Sequence, residues 1–236
     1  MLLYKFKGGG DALYALDIAI HERLYCARYS ELNDPFEGQF QAKKLKRGGF
    51  LGGMTLNSAD MNGAPGPSFL YYDSLDGLEG NTRVCSLTSA YDDVRMWALY
   101  GDSSRGVAFE FEVPDDHPDL HRVQYQRTLP HASLGLLNTT NTVDVLTCKT
   151  SHWEYEQEWR FITDESSPYV LLPGALRRVL IGHRAPMAVQ EALLKVAPEQ
   201  TTVHRVALNP EGINLEIEPP LCRPGPRSVL SEARAD

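Results

Sequence analysis

The segment from Gly106 to Val113 constrains the fold more than any other part of the chain. Apolar side chains alternate there with small or charged ones, which is the period of two of a β-strand. One side of this strand carries Val107, Phe109, Phe111 and Val113. The other side carries Glu110 and Glu112. We therefore predict a strand whose apolar side chains are buried, in one core with Phe161 from a later strand.

Weaker strand signals surround this segment and predict a mixed α+β fold. Strands are predicted at residues 2–6, 23–29, 84–87, 158–163, 177–182, 203–208 and 213–218, and a helix or loop at 142–152. The expected architecture is two small, mainly antiparallel sheets with a few flanking helices.

Three helices are predicted from capping residues and apolar spacing. The first helix begins after Asp11 and ends at about residue 21. The second is capped by Asp92 or Asp93 and ends at Gly101. The third starts at Pro186 and ends before Pro198. In the first helix, Leu13, Leu16 and Ile20 are spaced to share one buried face.

The chain is expected to form a single domain over residues 1–218. Its 236 residues lie within the range of about 200 to 250 that mixed domains reach as one unit. Residues 47–68 are rich in Gly and Pro without a period of either kind, so we predict a flexible insertion there. Residues 219–236 form a Pro-rich segment that we predict to be a disordered tail.

The net charge of −8 disfavours a large non-specific nucleic-acid footprint, because phosphate binding relies on clustered cations. One compact basic cluster consists of Lys43, Lys44, Lys46 and Arg47. A glycine-rich stretch follows it, so a solvated loop is the first interpretation and an anion-binding patch the second.

The cysteines indicate neither a zinc site nor a disulfide framework. Cys26, Cys85, Cys148 and Cys222 are far apart and form no Cys-x-x-Cys pair. No stretch approaches the roughly 18 apolar residues of a membrane span. We therefore expect reduced thiols, no membrane association and a cytoplasmic protein.

Three sequence blocks resemble those of one bacterial family. They are Leu32-Asn33-Asp34-Pro35-Phe36-Glu37, then Cys85-Ser86-Leu87 with Met96-Trp97-Ala98-Leu99-Tyr100 and Gly106–Phe111, then Lys149 with the run Trp153–Arg160. In this order and spacing they resemble the bacterial domain-of-unknown-function family 2971, over most of the chain from Leu3 to about Gly182. The family brings little settled biochemistry with it.

The order of elements also resembles the ADP-ribosyltransferase fold, in which a split pair of sheets clamps NAD. That resemblance implies a first-strand position at Tyr4 or Lys5, although this strand carries no clear His or Arg. It implies a second-strand position at Ser86 or Ser89. The catalytic acid would be Glu158, and the other residues implied around the cofactor cleft are Glu156 and Tyr100.

The implied chemistry suits a pair of carboxylates. Breaking the bond between nicotinamide and ribose builds positive charge on the sugar, and a fixed carboxylate such as Glu158 stabilises that charge in the transition state. Glu156 could orient or deprotonate the acceptor. The expectation is an enzyme that uses NAD to modify a macromolecular acceptor, a protein or a nucleic acid, in bacterial defence or stress.

Each motif also has a plain structural interpretation. Alternating glutamates at 154, 156 and 158 are typical of the wet face of an edge strand, with Arg160 paired to one of them. The aromatic residues, such as Trp97, are more typical of a core than of a stacking surface. The segment Asn33-Asp34-Pro35 is typical of a turn whose side chains cap backbone groups.

Two further functions remain open at this point. A metal-dependent phosphodiesterase would use Asp34 and the glutamates as ligands, with Lys149 as the candidate catalytic lysine. A non-catalytic ligand-sensing or protein-binding module would keep an aromatic cleft without turnover.

Overall fold

The computed structural model describes residues 1–28, 31, 32, 34, 36, 38–42, 71–74, 82–132, 142–171 and 174–223. The predicted insertion at 47–68 and the basic cluster from Lys43 to Arg47 lie outside this part of the chain, as do Asn33, Pro35 and Glu37. The predicted tail is described only over residues 219–223, where the Leu221 amide donates to the Val203 carbonyl at 2.8 Å.

Strands β1 to β16 of the described chain are Leu2–Lys7, Arg23–Tyr25, Ala27–Arg28, Gln39–Ala42, Tyr71–Ser74, Arg83–Thr88, Val107–Glu112, Leu120–Arg122, Gln124–Gln126, His131–Ala132, Cys148–Thr150, Glu158–Thr163, Tyr169–Leu171, Ala175–Gly182, Thr202–Asn209 and Asn214–Ile217. Helices α1 to α4 are Ala12–His21, Val94–Leu99, Thr142–Leu146 and Met187–Val196. Among the described residues, 3₁₀ turns cover Gly9–Asp11 and Ser151–Glu156. Within the described residues, no helix is long and apolar enough to span a membrane.

One mixed sheet of nine strands dominates the fold. Its strand order is β16-β15-β14-β7-β1-β6-β12-β8, with β3 also paired to β6. Only β14 and β15 are parallel neighbours within it. The smaller sheets are β10-β4-β5, β11-β9 and β13-β2. The α+β class is therefore confirmed, but the prediction of two small sheets is wrong, because β1 pairs with strands on both of its edges.

The two edges of β1 are paired very unequally. Towards β7, six residue pairs run from Leu2 to Lys7. Towards β6, the only pair is Tyr4 with Thr88. Beside that pair, the ammonium of Lys5 donates to the Ser86 carbonyl at 2.9 Å, so a side chain contributes to the join. The large sheet therefore consists of two well-paired halves that meet at one point.

Helices cover both faces of this sheet. On one face, α1 and α4 pack on a core that contains Val107, Phe109, Phe111, Val113 and Phe161, as the alternation predicts. On the other face, α2 and α3 cover two smaller apolar clusters. Glu110 is buried although it faces away from the main core, because this second face is covered too.

The first helix packs differently from its prediction. Its buried residues are Ala15, Ile18 and Ala19, whereas Leu13 and Ile20 are 81% and 52% exposed. The small side chains let the helix lie close to the sheet, which spacing of the large residues alone did not indicate. Asp11 holds the N-cap position, but its side chain makes no capping hydrogen bond.

Other element boundaries were predicted in part. Asp93 caps α2 by accepting from the Arg95 amide at 2.8 Å, and α4 follows Pro186 as predicted. The strand predicted at 23–29 is instead broken at Cys26, because β2 pairs with β13 and β3 pairs with β6.

A left-handed turn leads from α2 into β7. Asp102, Ser103 and Ser104 have φ of 49°, 52° and 64°. The turn brings Gly106 against the end of β1, where an added Cβ would lie 2.0 Å from the Lys7 carbonyl oxygen. Close backbone approach therefore requires glycine at this position.

We expect Gly106→Ala to lower the free energy of unfolding by about 1 to 3 kcal/mol, because backbone atoms must shift to admit the methyl group. Gly10→Ala is the matched control, since nothing lies within 4 Å of a Cβ at Gly10. Urea unfolding of both variants measures the difference. Equal midpoints for the two would contradict the proposed close approach.

Candidate functional site

The two glutamates of the Glu-x-Glu sequence belong to different elements. Glu156 ends the 3₁₀ turn and Glu158 begins β12. Gln157 between them is left-handed, with φ of 43°. The chain is therefore not extended between the two glutamates. The turn nevertheless directs both side chains to Lys149.

Lys149 in β11 shares its ammonium between the two carboxylates. Its Nζ lies 2.5 Å from Glu156 Oε2 and 2.9 Å from Glu158 Oε2. The second oxygen of Glu156 accepts a hydrogen bond from the Tyr100 hydroxyl at 2.5 Å. Tyr100 is the C-cap residue of α2, so this helix is tied to the glutamates by the same network.

Arg160 completes the network. It lies two residues after Glu158 in β12, on the same face of the strand. Its Nε donates to Glu158 Oε1 at 2.9 Å, and its Nη2 donates to Glu158 Oε2 at 3.2 Å. Its Nη1 donates to the carbonyl of Leu146, the last residue of α3. Arg160 thus pairs with a glutamate, as one interpretation of the sequence expected, and also links β12 to α3.

All four charged residues of this network are buried. Arg160 is 0%, Glu156 and Glu158 are 3%, and Lys149 is 8% exposed. Removing a charge from water costs several kcal/mol unless opposite charges and hydrogen bonds compensate it. Two cations and two carboxylates balance here, which makes the burial tolerable. The glutamates therefore do not form the wet face of an edge strand.

The network separates the proton affinities of the two glutamates. Burial would raise the pKa of Glu158, but the charges of Arg160 and Lys149 outweigh it and lower that pKa to about 2. Burial raises the pKa of Glu156 above its ordinary value, and Lys149 offsets this only in part. Glu158 is therefore a fixed anion at neutral pH, and Glu156 is the carboxylate that more readily takes a proton.

The strand register places three side chains in a row. Tyr4 pairs with Thr88, and Thr88 pairs with Glu158. Directly paired residues point to the same face of a sheet, so the first strand, β6 and β12 each contribute one side chain at one level. The Thr88 hydroxyl donates to the Glu156 carbonyl and accepts from the Ala90 amide at 2.9 Å.

The predicted cofactor residues are distributed around this row. Tyr100 contacts Glu156 directly. Tyr4 lies on the same face, but its hydroxyl donates to Glu110 at 2.6 Å. Ser86 pairs with Arg160 on that face. Lys5 alternates with Tyr4 along β1 and so points to the opposite face.

Sequence reasoning missed two residues of the site, Thr88 and Tyr125, and assigned Lys149 a different role. Thr88 emerges only from the strand register. The Tyr125 hydroxyl accepts from the Glu158 amide at 2.7 Å, and no sequence signal marks it. Lys149 was a visible candidate only for a metal-dependent reaction, although a lone lysine before a run of glutamates suggests an ion pair.

The aromatic residues divide between core and site. Trp97 is 1% exposed and belongs to the core of the second face. Trp153 lies beside the network, with the Lys149 ammonium 5.1 Å from its ring centroid. Tyr155 is half-buried, with the Arg95 guanidinium 4.2 Å from its ring centroid.

The carboxylates do not form a metal site in this arrangement. Across the described ranges, no group of three or more His, Cys, Asp or Glu residues is placed to hold a metal ion. The Lys149 ammonium lies between Glu156 and Glu158, where a cation bound by both would lie. The residues present therefore fit an internal ion pair.

Comparisons of this chain with protein-family models, with curated proteins and with solved structures found no match.

We expect Glu158→Gln to lower the free energy of unfolding at neutral pH by about 3 kcal/mol or more, because it leaves Lys149 and Arg160 with one buried carboxylate. The pKa of Glu158 is lowered in the folded state, so its contribution is present above its ordinary pKa of 4.5 and is lost as the pH falls towards 2. Urea unfolding of wild type and variant from pH 7 to pH 3 measures this.

The two unfolding free energies should converge with acid, since a protonated glutamate resembles glutamine. Glu112→Gln is the control, because Glu112 is exposed and pairs with an exposed arginine. A stability difference for Glu158→Gln that stays constant from pH 7 to pH 3 would contradict the lowered pKa.

Proposed function

We propose that this protein is an ADP-ribosyltransferase-like enzyme, which uses NAD to modify a macromolecular acceptor in bacterial defence or stress. The observation that carries the proposal is the row Tyr4, Thr88 and Glu158 at the join between the two halves of the sheet. The sequence resemblance to the bacterial domain-of-unknown-function family 2971 is part of the same proposal.

The row supports the proposal by its place in the fold. Neighbouring antiparallel residues lie about 5 Å apart, so the three side chains span roughly 10 Å across the sheet. In the fold that the element order resembles, NAD lies where a pair of sheets splits, against a first-strand residue, a second-strand hydroxyl and a glutamate. Here Tyr4, Thr88 and Glu158 would supply one side chain of each kind, at the residue pair that joins β1 to β6.

The proton affinities support a division of roles between the glutamates. Pairs of carboxylates whose environments separate their pKa values are typical of acid–base sites. Glu158, with a pKa of about 2, would stay ionised and stabilise the positive charge of the ribose. Glu156, with its raised pKa, would accept the proton of the acceptor.

The reaction follows from these roles. The bond from the ribose carbon to the nicotinamide nitrogen breaks, and its electron pair leaves with neutral nicotinamide. A nucleophilic oxygen or nitrogen of the acceptor forms the new bond to that carbon, and its proton passes to Glu156. Glu158 opposes the positive charge that builds on the sugar between these events, where fixed charges contribute most to rate.

Substrate binding would have to change contacts at the buried glutamates. The Tyr100 hydroxyl occupies one oxygen of Glu156, and Tyr100 is partly exposed. A ribose hydroxyl can replace a tyrosine hydroxyl as donor to a carboxylate without leaving the acceptor unpaired. Tyr100 is therefore the side chain that we expect to move when NAD binds.

The test is nicotinamide release from NAD, with transfer of labelled ADP-ribose to cell lysate. We expect Glu158→Gln to lower the rate about 100-fold or more, because it removes the charge that favours the transition state. NAD binding, measured by thermal shift, should persist in the variant.

Two controls separate chemistry from folding. Glu112→Gln makes the same change at an exposed site and should keep the wild-type rate. Leu193→Ala removes a buried side chain of α4 from the opposite face and costs about 2 to 5 kcal/mol of stability without touching the site. It should keep its activity at temperatures where it remains folded.

The possible results discriminate among the functions. Equal rates of nicotinamide release for wild type and Glu158→Gln would show that Glu158 does not take part in catalysis. Cleavage of nucleic acid that a chelator abolishes would favour the metal-dependent phosphodiesterase. Ligand binding without turnover would favour the sensing module, and no NAD binding at all would overturn the proposal.

A further inference from the structure

A narrow cleft has Lys149 among the residues that line it. It lies between the segment that contains Asp34 and Phe36 and the parallel ribbon formed by β9 and β11. Gln126 at the end of β9 and Lys149 in β11 both line it. Asp34 and Phe36 therefore line the same cleft as the lysine that pairs with the two glutamates.

The floor of the cleft is polar and buried. Asp34 is 4% exposed and Lys149 is 8% exposed. Asp34 Oδ1 accepts from the Phe36 amide at 3.0 Å, which fixes the carboxylate relative to the aromatic residue two positions later. This contact is the turn that the sequence predicted, and Asp34 is also one of the residues that line the cleft.

One residue that lines the cleft carries a buried donor without a partner among the described residues. The Nε2 atom of Gln126 is buried and, among the described residues, makes no hydrogen bond. A buried polar group without a partner costs about 1 to 3 kcal/mol, so such groups call for an explanation in a ligand or an ordered water. An acceptor atom in the cleft would satisfy it.

The rim of the cleft carries an aromatic ring that the core does not use. Phe36 is 51% exposed. The cleft itself has a volume of about 10 Å³, which holds about one water molecule or one group of similar size. A ligand would therefore insert a single polar group and lie across the rim.

We propose that this cleft binds a ribonucleoside, with one sugar hydroxyl inserted between Asp34 and Gln126 and its base stacked on Phe36. A carboxylate accepts from sugar hydroxyls, an amide donates to their oxygens, and an exposed ring stacks on a flat base. As the nucleoside of NAD, this ligand rests on the proposed function. The binding site itself is inferred from the residues that line the cleft, independently of the transferase reaction.

The test uses AMP as the probe, with affinity measured by calorimetry on the full chain. Phe36→Ala should weaken AMP binding about tenfold, because stacking of a base on an aromatic ring is lost. Tyr14→Ala is the matched control, since Tyr14 is 52% exposed on α1, and it should leave the affinity unchanged.

Asp34→Asn tests recognition of the sugar, since asparagine keeps the oxygen that accepts from the Phe36 amide but removes the charge. Wild type should bind AMP more tightly than 2′-deoxy-AMP, and the variant should bind the two alike. NAD should compete with AMP for the site. Absence of AMP binding, or affinities unchanged by both Phe36→Ala and Asp34→Asn, would overturn the inference.

The two proposals fail separately. If Glu158→Gln abolishes NAD turnover but Phe36→Ala and Asp34→Asn do not change AMP affinity, the transferase proposal is supported and the nucleoside cleft is contradicted. If both substitutions weaken AMP binding but the wild-type protein does not turn over NAD, the nucleoside cleft is supported and the transferase proposal is contradicted.

Discussion

The shared ammonium of Lys149 is the interaction on which this site depends. It holds two glutamates from different elements within 3 Å of one nitrogen, and through Tyr100 and Arg160 the same network reaches α2 and α3. Each buried charge is tolerable only because the others are present. Removal of any one therefore disturbs the positions of all the elements that carry the rest.

Stability alone does not account for such a network. Well-packed apolar residues of similar volume often replace buried ion pairs without loss of stability. This face of the sheet carries a second one, in which Glu110 accepts from Tyr4 and from Arg178 at 2.7 Å. The two networks lie on either side of the weak join between β1 and β6. Polar side chains thus concentrate where the sheet is least paired, which is the placement expected of a binding site.

The sequence predicted those features that depend on local pattern. The alternation from Val107 to Val113 identified a core strand, and Asp93 was a correct cap. The single large sheet was not predictable, because strand pairing is a long-range property that period and capping do not encode. The burial of Glu156 and Glu158 was missed for a related reason. A run of glutamates is usually solvated, and burial is possible here because Lys149 from β11 and Arg160 from β12 compensate both charges.

Lys149 also connects the two proposed binding regions, because it lines the cleft and its ammonium holds both glutamates. The pKa of Glu156 is set by burial against the charge of this lysine. A ligand acceptor that drew the ammonium towards the cleft would weaken that opposing charge and raise the pKa of Glu156 further. Occupation of the cleft would then make Glu156 a stronger base, while Arg160 would still keep Glu158 ionised. In these two proposals, ligand binding at the cleft and proton transfer at Glu156 would therefore be coupled through the charge of Lys149.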